Sequence, residues 1–180
     1  MEIETERKVF GILIPNFYFL IPNTMVSVSD IKQLRDETGL SMMQCKQALE
    51  KSGGDKGKAL AELTAMGAAL AGKKGDRLLG SAALVSYIHS TGKVGVLLEL
   101  SCETDFVAGN DEFKALARDI AMHVAAMRPT SKEELAAQAF IKDGERTIAQ
   151  LIQGAVQKFG ENTAITRCSW YVAHGEGATF

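Results

Sequence analysis

Between Val94 and Cys102 the apolar residues fall on every second position: Val94, Val96, Leu98, Leu100 and Cys102 alternate with Gly95, Leu97, Glu99 and Ser101. A period of two is that of a β-strand with one strongly apolar face. The stretch before it, Ala82 to His89, carries Leu84, Val85, Tyr87 and Ile88, and Ser90-Thr91-Gly92-Lys93 supplies a turn in which Gly92 suits a positive φ. The two segments read as a hairpin. A hairpin cannot bury an apolar face by itself, so the rest of the chain must cover it. Thr163 to Ala173 alternates again and reads as a third strand, while the tail from His174 to Phe180 reads as loose. Phe113, Leu116, Ala117, Ile120, Val124 and Met127 form a helical stripe that Asn110 can cap and Pro129 stops. Ser131-Lys132-Glu133-Glu134 reads as a capping box opening a brief helix. A last helix runs from Thr147 through Leu151, Ile152 and Ala155 to Phe159, closed by Gly160. The predicted class is α+β: a small antiparallel sheet packed with helices on one side.

Upstream the period is helical. Ser27 with Asp30, and Ser41 with Gln44, have capping-box spacing. Val28, Ile31 and Leu34 form one apolar stripe, and Met42, Cys45, Ala48 and Leu49 a second; Asp55 caps a third segment carrying Ala59, Leu60 and Leu63 that ends near Gly67. Helices this short hold only by sharing a core. The expected organisation is a three-helix unit over 26–67, a glycine- and lysine-rich connector over 68–81, and a sheet-and-helix core over 82–180. Residues 1–25 are expected to be an atypical arm, an added strand or a disordered extension. Their apolar run from Val9 to Ile21 is broken at Pro15 and is too short to span a membrane.

A net charge of −2 gives no general attraction to nucleic acid or an anionic membrane. Cys45, Cys102 and Cys168 show no CxxC spacing and read as reduced thiols, and His89, His123 and His174 show no metal spacing. His123 falls near the edge of a helical apolar face and reads as a satisfied, partly buried histidine. A hydrolase built on Asp105 and His123 lacks any nucleophile motif. No phosphate loop, dinucleotide fingerprint or cofactor motif is present, so no cofactor is expected and the weight shifts to a protein that works through its surface.

The odd spot is the junction between the second strand and the long helix. Thr104, Asp105, Phe106 and Val107 belong to neither periodic pattern. One reading is local: Phe106 or Val107 folds back on the first helical turn as a staple while Asp105 bonds nearby N–H groups. The other is a projecting aromatic anchor beside a carboxylate, the kind of group that dominates an interface. The residues alone leave both open and lean to the first.

Two blocks of sequence carry a resemblance. One is Ile31-Lys32-Gln33-Leu34-Arg35-Asp36-Glu37-Thr38-Gly39-Leu40-Ser41-Met42-Met43-Gln44-Cys45-Lys46-Gln47-Ala48-Leu49. The other comprises Gly92-Lys93-Val94-Gly95-Val96, Cys102-Glu103-Thr104-Asp105-Phe106-Val107 and Ala117-Arg118-Asp119-Ile120-Ala121-Met122-His123-Val124, with Gly160-Glu161-Asn162 near the end. In this order they resemble elongation factor Ts of the short bacterial type. The resemblance implies a ubiquitin-associated-like three-helix module at the amino terminus. It implies guanine-nucleotide exchange on elongation factor Tu, without covalent chemistry, in the cytoplasm. Leu34, Arg35, Thr38, Gly39, Met42 and Met43 would grip the partner's GTPase domain. Thr104, Asp105, Phe106 and Val107 would approach its nucleotide site, dislodge the partner's Mg²⁺ and release GDP. Short members of the family also act as homodimers; direct contact with nucleic acid or membrane is not implied.

The chain departs from the family between Arg128 and Phe140, where relatives carry a longer helical connection. The alternative to an exchange factor is a diverged module that binds elongation factor Tu or another partner without releasing nucleotide.

Overall fold

The computed structural model describes residues 26–180, and the expected arm of residues 1–25 lies outside them. Three helices come first: α1 (Val28–Thr38), α2 (Met42–Lys51) and α3 (Lys56–Lys74). Both predicted capping boxes form, Ser27 with Asp30 and Ser41 with Gln44, and the Asp55 carboxylate accepts from the Lys58 N–H at 3.0 Å. Ile31, Leu34, Leu40, Cys45, Ala48, Leu49, Ala59 and Leu63 enclose a small core of their own. Val28 and Met42, read as stripe residues, are exposed. Each is the first residue of its helix, where the apolar face has not yet met a neighbour.

Helix α3 does not end near Gly67; it continues through most of the expected connector to Lys74. Gly67 is a packing position rather than a stop. A Cβ there would lie 2.9 Å from Gln157 Oε1 and 3.5 Å from the Gln153 carbonyl, so its missing side chain lets two helices approach closely.

The sheet is antiparallel in the order β1-β2-β5-β6, with β1 (Ser81–Ile88), β2 (Val94–Cys102), β5 (Ala164–Val172) and β6 (Gly177–Thr179). Leu98 stands opposite Val85 on one side and Cys168 on the other, and Val96 opposite Tyr87 and Trp170. Helix α5 (Asp111–Met127) covers this face with Phe113, Ala117, Ile120, Ala121 and Val124, all buried. The tail is not loose. Its β6 pairs with Ser169–Tyr171, and Phe180 exchanges two backbone hydrogen bonds with Cys168.

Between α5 and β5 lie α6 (Lys132–Ala137), a small β3–β4 pair (Ala139–Phe140, Asp143–Thr147) that periodicity did not foresee, and α7 (Ile148–Phe159). The short connection after α5 is held firmly to the sheet. Trp170 donates from Nε1 to the Pro129 carbonyl at 2.7 Å, Lys132 donates to the Thr166 carbonyl at 2.6 Å, and Leu135 is buried. Ser131 caps α6, but the reciprocal half of the expected box is absent: Glu134 accepts instead from the Thr130 N–H and hydroxyl. Among the described residues no helix is long and apolar enough to cross a membrane.

Candidate functional site

Strand β2 ends at Cys102, whose buried thiol donates to the Thr104 carbonyl at 3.3 Å. Burial, with the nearby Glu161 charge, pushes this thiol's pKa up. Thr104 then caps a single helical turn, α4 (Asp105–Gly109), its Oγ1 accepting from the Val107 N–H. The two readings of the junction divide between adjacent residues. Val107 is 4% exposed and joins the core; Phe106 is 85% exposed and points outward. Asp105 does not bond backbone N–H groups as the local reading supposed. Its Oδ1 accepts from the Ser81 hydroxyl at 2.5 Å, tying the turn to the start of β1.

The turn is fixed mainly from outside. Glu161 Oε2 accepts from the N–H groups of Glu103 and Thr104 at 3.1 and 3.0 Å, and its Oε1 accepts from the Thr104 hydroxyl at 2.6 Å. Glu103 answers by accepting from the Asn162 N–H at 2.6 Å, and Arg77 lies 3.4 Å from its carboxylate. The Asn162 amide, helped by Arg77, holds the Glu103 carboxyl below its ordinary pKa range. The Asn162 side chain donates to the carbonyls of Gly75 and Arg77, which joins the α3–β1 link to the same knot. A Cβ on Gly80 would lie 2.9 Å from the Glu103 carbonyl, so the link passes against the junction where only glycine fits.

The amino-terminal candidates separate into exposed and supporting groups. Arg35, Gly39, Met42 and Met43 are exposed, Met43 at 64%. Leu34, at 0% exposure, is a core residue and offers a partner no surface, because it carries the packing of all three helices. Thr38 is half-buried; its hydroxyl donates to the Leu34 carbonyl at 2.7 Å and accepts from the Leu40 N–H at 3.3 Å. Gly39 sits at φ 67° and closes α1 in the left-handed conformation. The carboxyl end of α7 lies between this turn and the Phe106 turn. A Cβ on Gly39 would meet Lys158 Nζ at 2.9 Å, and three residues on, Glu161 grips Thr104.

Asp105 and His123 are not brought together. His123 is fully buried and pairs through Nε2 with Gln138 Oε1 at 3.0 Å, and burial lowers its pKa. Among the described residues no group of three or more His, Cys, Asp or Glu is placed to hold a metal ion. Sequence reasoning gave no role to Ser81, Arg77, Glu161 and Asn162. Their one signal was an acid and an amide following the helix stop at Gly160.

Fold and site define an α+β protein whose distinctive feature is an aromatic side chain held out from a cross-linked turn. The sequence profile described as Elongation factor TS matches residues 103–179. The elongation factor Ts of Leptospira biflexa is 36% identical over 195 aligned residues, covering 83% of this chain and 98% of that protein. Those of Desulforamulus reducens and Thermosipho melanesiensis are each 42% identical, over 74% and 78% of this chain and 69% and 80% of their own lengths. The chain belongs to the elongation factor Ts family, whose members serve translation elongation in protein biosynthesis. The Leptospira alignment is longer than this chain although it covers only 83% of it, so that relative carries segments missing here.

Proposed function

We propose that the chain is a guanine-nucleotide exchange factor for elongation factor Tu, acting by binding rather than by covalent chemistry, in the cytoplasm. The observation that supports this most is the pairing of an 85% exposed Phe106 with a turn that cannot easily yield, since Glu161 and Ser81 anchor Thr104 and Asp105 at its start and Val107 is buried in the core at its end. An aromatic on a rigid mount keeps its conformational entropy cost low on docking, so its burial goes into the interface. In this reading Phe106 enters the partner near its nucleotide site and Asp105 lies beside it, with Thr104 and Val107 as the mount. The partner's own Mg²⁺ is displaced and GDP leaves. Exchange requires that the factor bind the nucleotide-free partner better than the GDP-bound one.

The three-helix unit is read as a ubiquitin-associated-like module that grips the GTPase domain. Its contacts are Arg35, Gly39, Met42 and Met43; Leu34 and Thr38 shape that surface from beneath. A homodimer belongs to the same reading, and sedimentation across micromolar concentrations tests it. The second reading, a binder that does not release nucleotide, draws on the segments absent relative to the Leptospira protein. Release of a fluorescent GDP analogue from elongation factor Tu decides between them. Acceleration by the wild-type chain is the expected result; tight binding without acceleration selects the second reading.

A further inference from the structure

Strand β1 is a sheet edge without the usual defences. Its eight residues, Ser81-Ala82-Ala83-Leu84-Val85-Ser86-Tyr87-Ile88, include no charge, proline or glycine, and its register to β2 runs without a bulge. The opposite edge, β6, is only three residues long. Edges are normally kept short, charged, bulged or covered, because their free N–H and C=O groups pair with other chains. The bond from the His89 N–H to the Val94 carbonyl sets the phase of the ladder. Tyr87, Val85 and Ala83 therefore face β2 with their backbone groups, and Ala82, Leu84, Ser86 and Ile88 turn theirs to the open side. Among the described residues nothing pairs with that side. Leu84 and Ile88 are each 65% exposed.

Helix α5 runs beside this edge, leaving an open groove of about 400 Å³ lined by Ala82, Leu84, Ser86, Ala108, Lys114 and Arg118. Lys114 and Arg118 stand one turn apart and make no ion pair among the described residues, although other surface cations do. Two residues of a strand advance about 6.6 Å and four of a helix about 6 Å, so carboxylates at alternate positions of an added strand match these two cations. A second copy of β1 brings no acid and would leave both cations unmatched. We infer that the β1 edge takes an extended segment of a partner protein as a fifth strand, with an acid-x-acid pattern set over Lys114 and Arg118. Ala108, which lines one end of the groove, follows Phe106 by two residues in α4; the pairing stands whether or not Phe106 promotes exchange.

The probe is a synthetic peptide, acetyl-Val-Thr-Glu-Val-Glu-Val-Thr-amide, titrated into the isotope-labelled full chain. Expected are slowed amide exchange at Leu84 and Ser86, and affinity about tenfold weaker for the K114E/R118E chain and for the Gln-for-Glu peptide. Ser86→Pro removes an outward N–H and leaves the β2 ladder intact, so it should abolish binding without unfolding; a peptide N-methylated at alternate amides tests the same bond with the wild-type chain. Absence of amide protection, or binding indifferent to the charge reversal, overturns the inference. Protection in the free chain overturns it too: loss on dilution assigns the edge to a second copy, and loss on replacing Glu2, Glu4 and Glu6 by Gln assigns it to the chain's own amino-terminal residues.

Discussion

Two turns carry the exposed groups of this protein, and they are built in opposite ways. The Thr38–Met43 turn is held by its neighbours. Thr38 bonds Leu34 and Leu40, Gly39 closes α1, and Ser41 and Gln44 cap each other, all within a few residues. The Thr104–Val107 turn is held across the fold, by Glu161 at 57 and 58 positions away, Ser81 at 24 from Asp105, and Arg77 at 26 from Glu103. A locally tied turn forms as soon as its helices form. A distantly tied one forms only when sheet, α7 and the α3 link have all docked, and it then inherits their rigidity.

The contrast can be broken most severely at Leu34. Leu34→Ala opens a cavity in the small helical core and should cost about 2–5 kcal/mol, melting α1–α3 first, seen as a low-temperature loss of helical circular dichroism. If the chain unfolds in one unaltered transition, the two turns are not independently supported. Phe106→Ala should do the reverse. It should leave the melting temperature unchanged and reduce GDP release from elongation factor Tu about 30-fold or more, as expected for an interface anchor; a variant as active as wild type sinks the anchor role. Glu161→Ala removes three acceptor contacts from the Phe106 mount and should cost about 1–3 kcal/mol. The same variant should also speed amide exchange at Glu103 and Thr104, with Glu161→Gln restoring much of the protection; exchange in Glu161→Ala as slow as in the wild-type chain would mean the turn holds itself. The smallest effect concerns pH. The Glu103 carboxyl has its pKa lowered from 4.5, so its stabilising contribution is full above that value and declines as the pH falls through the lower folded-state pKa. Glu103→Gln should flatten the acid limb of the melting-temperature curve, and an unchanged limb would show that the Asn162 bond does not sense the charge.

The same division explains what was legible in the sequence. Caps, stripes and alternation act over a few residues, so the helices, the hairpin and the third strand could be read from Ser27, Ser41, Thr147 and the Val94–Cys102 pattern. Gly67 misled because helix stops and close helix crossings both use glycine, and only α7 reveals which one this is. The tail was missed because β6 has no periodicity of its own and exists by pairing with β5. At the junction, the sequence could say that Phe106 and Val107 shared no pattern with their flanks. It could not say that one would be buried and its neighbour exposed, since Thr104, fixed by a carboxylate 57 residues away, sets that division. The family blocks around the site were readable as a whole, but Glu161 and Asn162 gained a role only from the fold.

Trp170 is the only tryptophan in the chain, and it is buried in β5 with its indole N–H on the Pro129 carbonyl. Emission excited at the red edge of the absorption band, where the three tyrosines do not absorb, therefore has one source, inside the sheet core and outside the α1–α3 core. A fluorescence melt should follow the scaffold behind Phe106 and remain nearly blind to loosening of the helices around Met42 and Met43. The native chromophore gives a label-free optical channel for one half of the molecule. Its departure from a whole-chain helical signal would measure how far the two halves unfold as one.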